Sequence, residues 1–216
     1  MLRQLAKKLP WSLQHQLKQF YYRSQISKGT FKSPEMEFNI INRLISPKDW
    51  VMDIGANVGH YTRRFSDLTP QGRVIAIEPH PITFSYLASN VADLKNVTLI
   101  NAALSDHNGL VGFTVPNNNF YQASIDASSD SKVICISPAV LNFESSINFI
   151  KIDAEGHEPF IIKALENLIT KDRPILMIEH NTELLKNWCS EHEYEFHDLT
   201  NSHNHILVPI SKSEYS

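Results

Sequence analysis

A turn after the first apolar run of the sequence combines a carboxylate with two glycines. It reads Asp53-Ile54-Gly55-Ala56-Asn57-Val58-Gly59, a D-x-G-x-x-x-G spacing. Gly55 can bend the backbone tightly against a ligand, and Gly59 lets the following helix pack close to the strand. Asn57 stands where dinucleotide-binding folds place a second glycine to admit a pyrophosphate. The turn is therefore typical of a site for a cofactor that lacks a diphosphate.

A second carboxylate ends the next apolar run. Glu78 follows Gly59 by 19 residues, and from this position a carboxylate can accept hydrogen bonds from both hydroxyls of a ribose. A glycine turn with a ribose-binding acid, but without phosphate recognition, indicates an adenosine that carries a different substituent. S-adenosyl-L-methionine fits this description, because nearby carboxylates stabilise its sulfonium cation.

Acidic and imidazole side chains follow the fourth and fifth apolar runs. They are Asp153, Glu155, Glu179 and His180. Because the carboxyl ends of parallel strands meet at one edge of a sheet, we expect these side chains to line the cofactor cleft. Methyl transfer to an alcohol needs a group that takes the hydroxyl proton. Asp153 or Glu155 can be this general base while the other positions the acceptor, and His180 is an alternative base. A structural role of Glu155 in capping the next helix is also open.

A divalent cation is a further alternative at the same edge. Asp153, Glu179 and His180 together offer oxygen and imidazole ligands, through which a metal would lower the pKa of the acceptor hydroxyl. The principal hypothesis is a site without metal.

Short apolar runs alternate with helical patterns from residue 49 onward. Strands are predicted at 50–54, 74–77, 97–100, 147–152 and 175–178, with closing strands at 194–197 and 205–208. Helices are predicted at 60–67, 82–91, 159–168 and 182–191. Runs that are apolar on both faces are typical of strands covered by helices on both sides. The pattern predicts a Rossmann-like α/β fold with a mostly parallel, seven-stranded sheet and helices on both faces.

Residues 102–146 interrupt this alternation. They contain a predicted hairpin at 110–115 and then a polar stretch, 116–132, rich in Asn and Ser. Long polar loops are often lids or substrate loops. A disordered insertion is the alternative interpretation.

The beginning of the chain is strongly basic. Seven Lys or Arg residues and no acidic residue precede Glu35, although the net charge of the whole chain is −3. Leu13, Leu17, Phe20 and Tyr21 fall at i, i+4, i+7 and i+8, which predicts one apolar stripe on a helix. We expect residues 1–46 to form a helical cap packed on a domain of residues 47–216. A transit peptide or a helix on a membrane surface, hence peripheral membrane contact, is the alternative.

Composition limits the remaining possibilities. The chain has 216 residues, which suits one globular domain, and a net charge of −3 gives no indication of nucleic-acid binding. Cys135 and Cys189 have no metal-ligand spacing, so we expect two free thiols in a reducing compartment such as the cytoplasm. The oligomeric state is not readable from the sequence.

Three segments resemble FkbM-type methyltransferases. These are VMDIGANVGHYT at 51–62, GRVIAIEP at 72–79 and FIKIDAEGHE at 149–158, with Arg173, Pro174 and Glu179 further on. The similarity covers about residues 49–181. It implies a class I methyltransferase fold that methylates a hydroxyl of a sugar, a glycan precursor or another small natural product. Mapped onto this sequence, the implied cofactor-binding residues are Asp53, Gly55, Ala56, Asn57, Gly59, Tyr61, Glu78, Pro79 and Asp153.

Two other functions compete with an S-adenosylmethionine-dependent methyltransferase. A nicotinamide-dependent oxidoreductase could use a similar sheet, but Asn57 occupies the diphosphate position and no Tyr-x-x-x-Lys pair is recognisable. A catalytically silent module that retains the cofactor fold is the third hypothesis. The acids after the fourth and fifth strands argue against this loss of activity.

Overall fold

A twisted seven-stranded sheet organises the protein. The computed structural model describes residues 9–27, 37–116, 123–199 and 202–215. The strands of this sheet are β1 (Trp50–Ile54), β2 (Arg73–Ile77), β3 (Val97–Ile100), β8 (Ile147–Ile152), β9 (Ile175–Glu179), β10 (Tyr194–Asp198) and β11 (Asn204–Pro209). Strands β4 to β7 belong to a second sheet. All seven strands predicted for the main sheet are therefore confirmed.

The strand order is β10-β11-β9-β8-β1-β2-β3. The pairs between β9, β8, β1, β2 and β3 are parallel, whereas β11 is antiparallel to both β9 and β10. The chain reverses direction across the sheet between β1 and β8, because β2 and β3 lie on one side of β1 and the later strands on the other. Ligands bind at such a switch point, beyond the carboxyl ends of the strands.

Two apolar layers bury the faces of the sheet. Consecutive residues of β1 illustrate this, since Val51 packs in the layer on one face and Met52 in the layer on the other. A strand buried on both faces needs apolar residues at consecutive positions, which is why these runs show no polar alternation. Asp53 and Lys151 are exceptions, because both are charged residue types and both are buried inside these strands.

Helices cover both faces. They are α1 (Trp11–Ser27), α2 (Glu37–Ile40), α3 (His60–Leu68), α4 (Pro81–Asn90), α5 (Glu158–Ala164), α6 (Glu166–Asp172) and α7 (Thr182–His192). The helices predicted at 60–67, 82–91 and 182–191 are confirmed within one residue at each end. The single helix predicted at 159–168 is wrong. The helix is interrupted at Leu165, which is fully buried, and so divides into α5 and α6.

A second, smaller sheet follows β3. It contains β4 (Ala103–Leu104), β5 (Gly109–Thr114), β6 (Ser124–Ile125) and β7 (Lys132–Ile136), in the order β4-β7-β5-β6. The hairpin predicted at 110–115 is wrong, because these residues form the single strand β5, which pairs with β6 on one side and β7 on the other. Strand β7 was not predicted, and residues 117–122 of the polar stretch lie outside the described residues. Residues 123–132 of that stretch carry β6 and a turn that leads into β7, so they are an ordered part of this sheet rather than a disordered insertion.

Helix α1 lies within the segment that was predicted to form an N-terminal cap. Helix α1 packs against α4, but the predicted stripe of Leu13, Leu17, Phe20 and Tyr21 faces solvent rather than the domain. The end of the expected cap is not separate from the domain, because Ile41 is fully buried in the core layer that contains Val51. No helix within the described residues is long and apolar enough to cross a membrane.

Candidate active site at the carboxyl edge of the sheet

The turn after β1 is shaped by close contact with β8. Gly55 has a φ of +76°, and a Cβ atom on it would lie 1.7 Å from the carbonyl oxygen of Asp153. The amides of Gly55 and Ala56 both donate to the carbonyl of Ile77 at 3.0 Å. Glycine at 55 is therefore required by the backbone of the neighbouring strand itself, whatever ligand binds.

Gly59 lies at the start of α3 and contacts the neighbouring helix α4. Its φ is +95°, and a Cβ atom on it would lie 2.8 Å from Cδ1 of Leu87 in α4. Gly59 was predicted to let α3 pack close to the strand. In the structure it lets the start of α3 pack close to α4 instead. Both glycines of the motif are explained by positive φ and by lack of space.

Glu78 is held rigidly at the end of β2. Its Oε2 accepts a hydrogen bond from the amide of Asn57 and its Oε1 one from the amide of His80, both at 2.9 Å. Burial raises the pKa of Glu78 to about 7, against the lowering effect of these two amides. The side-chain amide of Asn101 donates hydrogen bonds to the carbonyls of Glu78 and Pro79 and so braces this turn.

A cavity opens between these two turns and the small sheet. Its lining includes Gly55, Asn57, Glu78, Pro79, Asp153 and Glu155, together with Phe113 of β5 and Ile125 of β6. Asn57 has a φ of +50°, and its buried Oδ1 accepts no hydrogen bond from any residue that the structure describes. An unpaired acceptor beside a carboxylate matches a ligand that brings hydroxyl or ammonium donors.

A buried charge network lies directly beneath the turn. Nζ of Lys151, which is 2% exposed, lies 2.7 Å from Oδ2 of Asp153 and 5.0 Å from the ring centroid of Tyr61. Asp53 is completely buried and accepts a hydrogen bond from the hydroxyl of Thr62 at 2.6 Å. Burial raises the pKa of Asp53, and the Lys151 ammonium opposes that increase. Lys151 thus partly compensates the charge of two acids at once.

Glu155 projects from a strained turn after β8. Its φ is +50°, a conformation that costs about 1–3 kcal/mol for a residue other than glycine. Glu158 organises the turn, because its Oε1 accepts hydrogen bonds from the amides of Ala154 at 2.9 Å and Gly156 at 3.1 Å. Glu158 therefore has the structural role that was left open for Glu155. Burial, followed by the charges of Asp153 and Glu179, raises the pKa of Glu155 to about 7.

A second, open cleft adjoins the first cavity. It has a volume of about 560 Å³ and is lined by Glu155, Gly156, Glu158, Glu179, His180, Thr182, Asp198, Ser202, His203 and His205. Glu179 and His180 therefore face this cleft rather than the cavity between the turns. Glu155 lines both spaces and so stands where they meet.

The hypothetical metal ligands are not assembled as a metal centre. Within the described part of the chain, no three His, Cys, Asp or Glu side chains are grouped so that they could hold an ion. Asp153 is paired with the Lys151 ammonium, and Nδ1 of His180 lies 4.0 Å from Oε2 of Glu158.

Comparison with known proteins identifies the family. The FkbM methyltransferase domain matches residues 53–208, which is more than half of the chain and extends beyond the similarity found at 49–181. The chain belongs to the FkbM methyltransferase family. Its fold is Rossmann-like, as expected from the sequence.

Two curated relatives and one solved structure show the range of this family. The 2-O-methyltransferase NoeI of Sinorhizobium fredii is 32% identical over 54% of this chain and 47% of its own length. The hexuronic acid methyltransferase AglP of Haloferax volcanii is 30% identical over 56% of this chain and 52% of its own. The chain thus spans about half the length of the curated relatives that it matches. A crystal structure of an FkbM methyltransferase from Methylobacillus flagellatus superimposes with a TM-score of 0.56 at 19% identity, over 76% of this chain and 44% of that chain.

The FkbM domain brings most of the predicted site residues together, but not all. Gly55, Asn57, Glu78, Pro79 and Asp153 line one cavity. Tyr61 does not line it. Its ring packs instead on Phe38 and Phe65 and under the Lys151 ammonium. Asp53, Ala56 and Gly59 belong to the turn but do not line the cavity.

Two residues of the site were missed at the sequence level. Lys151 carried a signal, since a lone charge inside an otherwise apolar strand is rarely buried without a partner. The sequence signal for Glu158 was weaker, because an acidic residue at the start of a helix is common. Its contact with the turn depends on backbone geometry that spacing alone does not reveal.

Proposed function

We propose that this chain is an S-adenosyl-L-methionine-dependent O-methyltransferase that acts on a hydroxyl group of a sugar or glycan. The observation that supports this most strongly is the position of Glu155, which lines both the cavity between the glycine turns and the open cleft. A methyl donor in the first space and an alcohol in the second would meet beside this carboxylate.

Glu78 and Asn57 are the polar groups of the first cavity that would hold the cofactor. Each oxygen of Glu78 already accepts one amide and keeps capacity for a ribose hydroxyl. The unpaired Oδ1 of Asn57 can accept from the ammonium group of the methionine part. Asp153 adds negative charge near the place where a sulfonium cation would lie.

The bound cofactor would supply an electrophilic methyl group. The acceptor oxygen would form a bond to the methyl carbon while the carbon–sulfur bond breaks, and the alcohol proton would pass to a carboxylate oxygen of Glu155. A pKa of about 7 suits this step, because a general base works best when its pKa is close to the working pH. Glu179 and His180, which line the same cleft, would orient the acceptor.

A sugar is the acceptor that best fits the open cleft and the family relatives. The cleft offers carboxylate, hydroxyl and imidazole groups, which pair with several hydroxyl groups at once. Its volume of about 560 Å³ lies within the usual range for small-molecule sites. One relative is a 2-O-methyltransferase and the other a hexuronic acid methyltransferase.

Transfer of an isotopically labelled methyl group from S-adenosylmethionine to a panel of glycosides tests this proposal. We expect label in the sugar fraction, and a strong loss of transfer in Glu155→Gln but not in Glu144→Gln, an exposed acid outside both spaces. A protein that binds the cofactor yet methylates no acceptor would instead support the catalytically silent module. Tight binding of NADH with no binding of S-adenosylmethionine would support the oxidoreductase.

A further inference from the structure

Helix α1 has two apolar faces on opposite sides. The inner face packs on the domain, with the ring of His15 4.6 Å and that of Tyr22 5.8 Å from the ring of Tyr86 in α4. Ile26 completes this face and is 5% exposed. At 3.6 residues per turn, the mean direction of these three residues is roughly 180° from that of the outer stripe. The helix is therefore fixed to the domain without using its outer stripe.

The outer stripe is exposed along its length. Its side chains are Leu13, Leu17, Phe20 and Tyr21, with exposed fractions of 41%, 47%, 74% and 55%. Single exposed apolar residues are normal, but four on one stripe of one helix are typical of a binding surface. Exposed Leu110 and Leu184, by contrast, lie in other elements of the fold.

Positive charge surrounds this stripe. Lys18 and Arg23 are exposed and lie on its two flanks, between the outer and inner faces of the helix. The first 34 residues contain five further Lys or Arg residues and no acidic residue. An apolar face flanked by basic side chains is the pattern of a helix that lies in the interface of an anionic membrane.

We propose that α1 docks the domain onto the surface of an anionic lipid bilayer. The apolar stripe enters the boundary between headgroups and acyl chains, and Lys18 and Arg23 contact the lipid phosphates and carboxylates. A protein partner is less well matched, because the charge of this segment has one sign only and is spread along the chain on both sides of the helix. The proposal does not depend on the methyl-transfer function.

Docking would hold the cofactor turn near the lipid. Tyr22 contacts His60 with a ring separation of 6.4 Å, and His60 is the first residue of α3, directly after the glycine turn. The inner face of α1, which carries this contact with His60, would lie about one helix diameter, 10–12 Å, from the docked surface.

Flotation with lipid vesicles tests this docking on the full chain. We expect the protein to float with vesicles of 70% phosphatidylcholine and 30% phosphatidylserine, and not with phosphatidylcholine alone. Leu17→Gln/Phe20→Gln should abolish flotation. Lys18→Gln/Arg23→Gln should weaken it about 25-fold, since each basic side chain near an anionic surface is worth about fivefold. Raising the salt concentration from about 0.05 M to 0.5 M should also weaken the binding of the wild type to the vesicles.

Leu110→Gln is the matched control, because Leu110 is 70% exposed but lies on β5 of the small sheet. This variant should float as the wild type does, and circular dichroism should show all variants folded. Absence of flotation with either vesicle, or equal flotation with both, would overturn the proposal. A concentration-dependent dimer in sedimentation analysis, dissociated by Leu17→Gln/Phe20→Gln, would assign the stripe to a second copy and overturn it as well.

Discussion

Replacing Lys151 by methionine removes one buried positive charge and leaves the packing of the side-chain stem nearly intact. The ammonium is 2.7 Å from Asp153 and partly neutralises the fully buried Asp53. Removing one partner of a buried ion pair costs about 3–5 kcal/mol, because the other charge stays buried without compensation. For a chain of this size, the midpoint of thermal unfolding should fall by about 6–20 °C.

The stability lost in Lys151→Met should depend on pH, because Asp53 titrates. Burial raises the folded-state pKa of Asp53 above its unfolded value of about 3.9, so its ionisation costs stability as the pH rises. Without Lys151 that pKa rises further, and protonation of Asp53 at low pH relieves part of the damage. We therefore expect a smaller difference between Lys151→Met and wild type at pH 5 than at pH 8.

Thermal unfolding followed by circular dichroism at both pH values measures this. Lys163→Met is the control, since Lys163 is exposed on α5 and should change stability by less than about 0.5 kcal/mol. The double variant Lys151→Met/Asp53→Asn should recover part of the lost stability, because it removes the fully buried one of the two uncompensated carboxylates. A loss as small as that of Lys163→Met, or one that is equal at pH 5 and pH 8, would refute the reasoning.

Two substitutions and one change of pH test the turns that contain Gly55, Glu155 and Glu78. Gly55→Ala should destabilise the fold by more than about 2 kcal/mol in urea unfolding, and by more than Gly109→Ala, because only the Cβ at 55 would overlap the neighbouring strand; equal effects would contradict this. Glu155→Gln should lower kcat by about 10²–10⁴ and abolish a rise of kcat centred near pH 7, with unchanged cofactor affinity; an unaltered pH profile would exclude Glu155 as the base. The cofactor Kd should be about tenfold weaker at pH 6 than at pH 8, because protonation of Glu78 removes an acceptor; a flat calorimetric profile would contradict that role.

The main sheet could be predicted because each strand carries its own local signal. A run such as VIAI at 74–77 is short, rich in β-branched residues and apolar on both faces, whatever its neighbours are. The site could be located for the same reason, since Asp53, Glu78 and Asp153 each end a recognisable run. The break at Leu165 could not be predicted, because 159–168 keeps helical periodicity across it.

Features that depend on contacts distant in sequence were missed or misread. Strands β4 and β6 are two residues long, so their pairing leaves almost no trace in the sequence. Helix α1 carries apolar stripes on both sides with the same period, and the pattern cannot decide which one faces the domain. Contact of His15 and Tyr22 with the ring of Tyr86 decides it, and that contact joins residues about 70 positions apart.

Calorimetric titration with S-adenosylmethionine shows whether Glu78 and the turn at 53–59 form a cofactor pocket. We expect saturable binding of one cofactor per chain to the wild type and to Glu144→Ala. Glu78→Ala should bind at least about 100-fold more weakly, because it loses two hydrogen bonds to a charged acceptor. Wild-type affinity in Glu78→Ala, or no binding to the wild type, would contradict the claim that this carboxylate and the turn at 53–59 form the cofactor pocket.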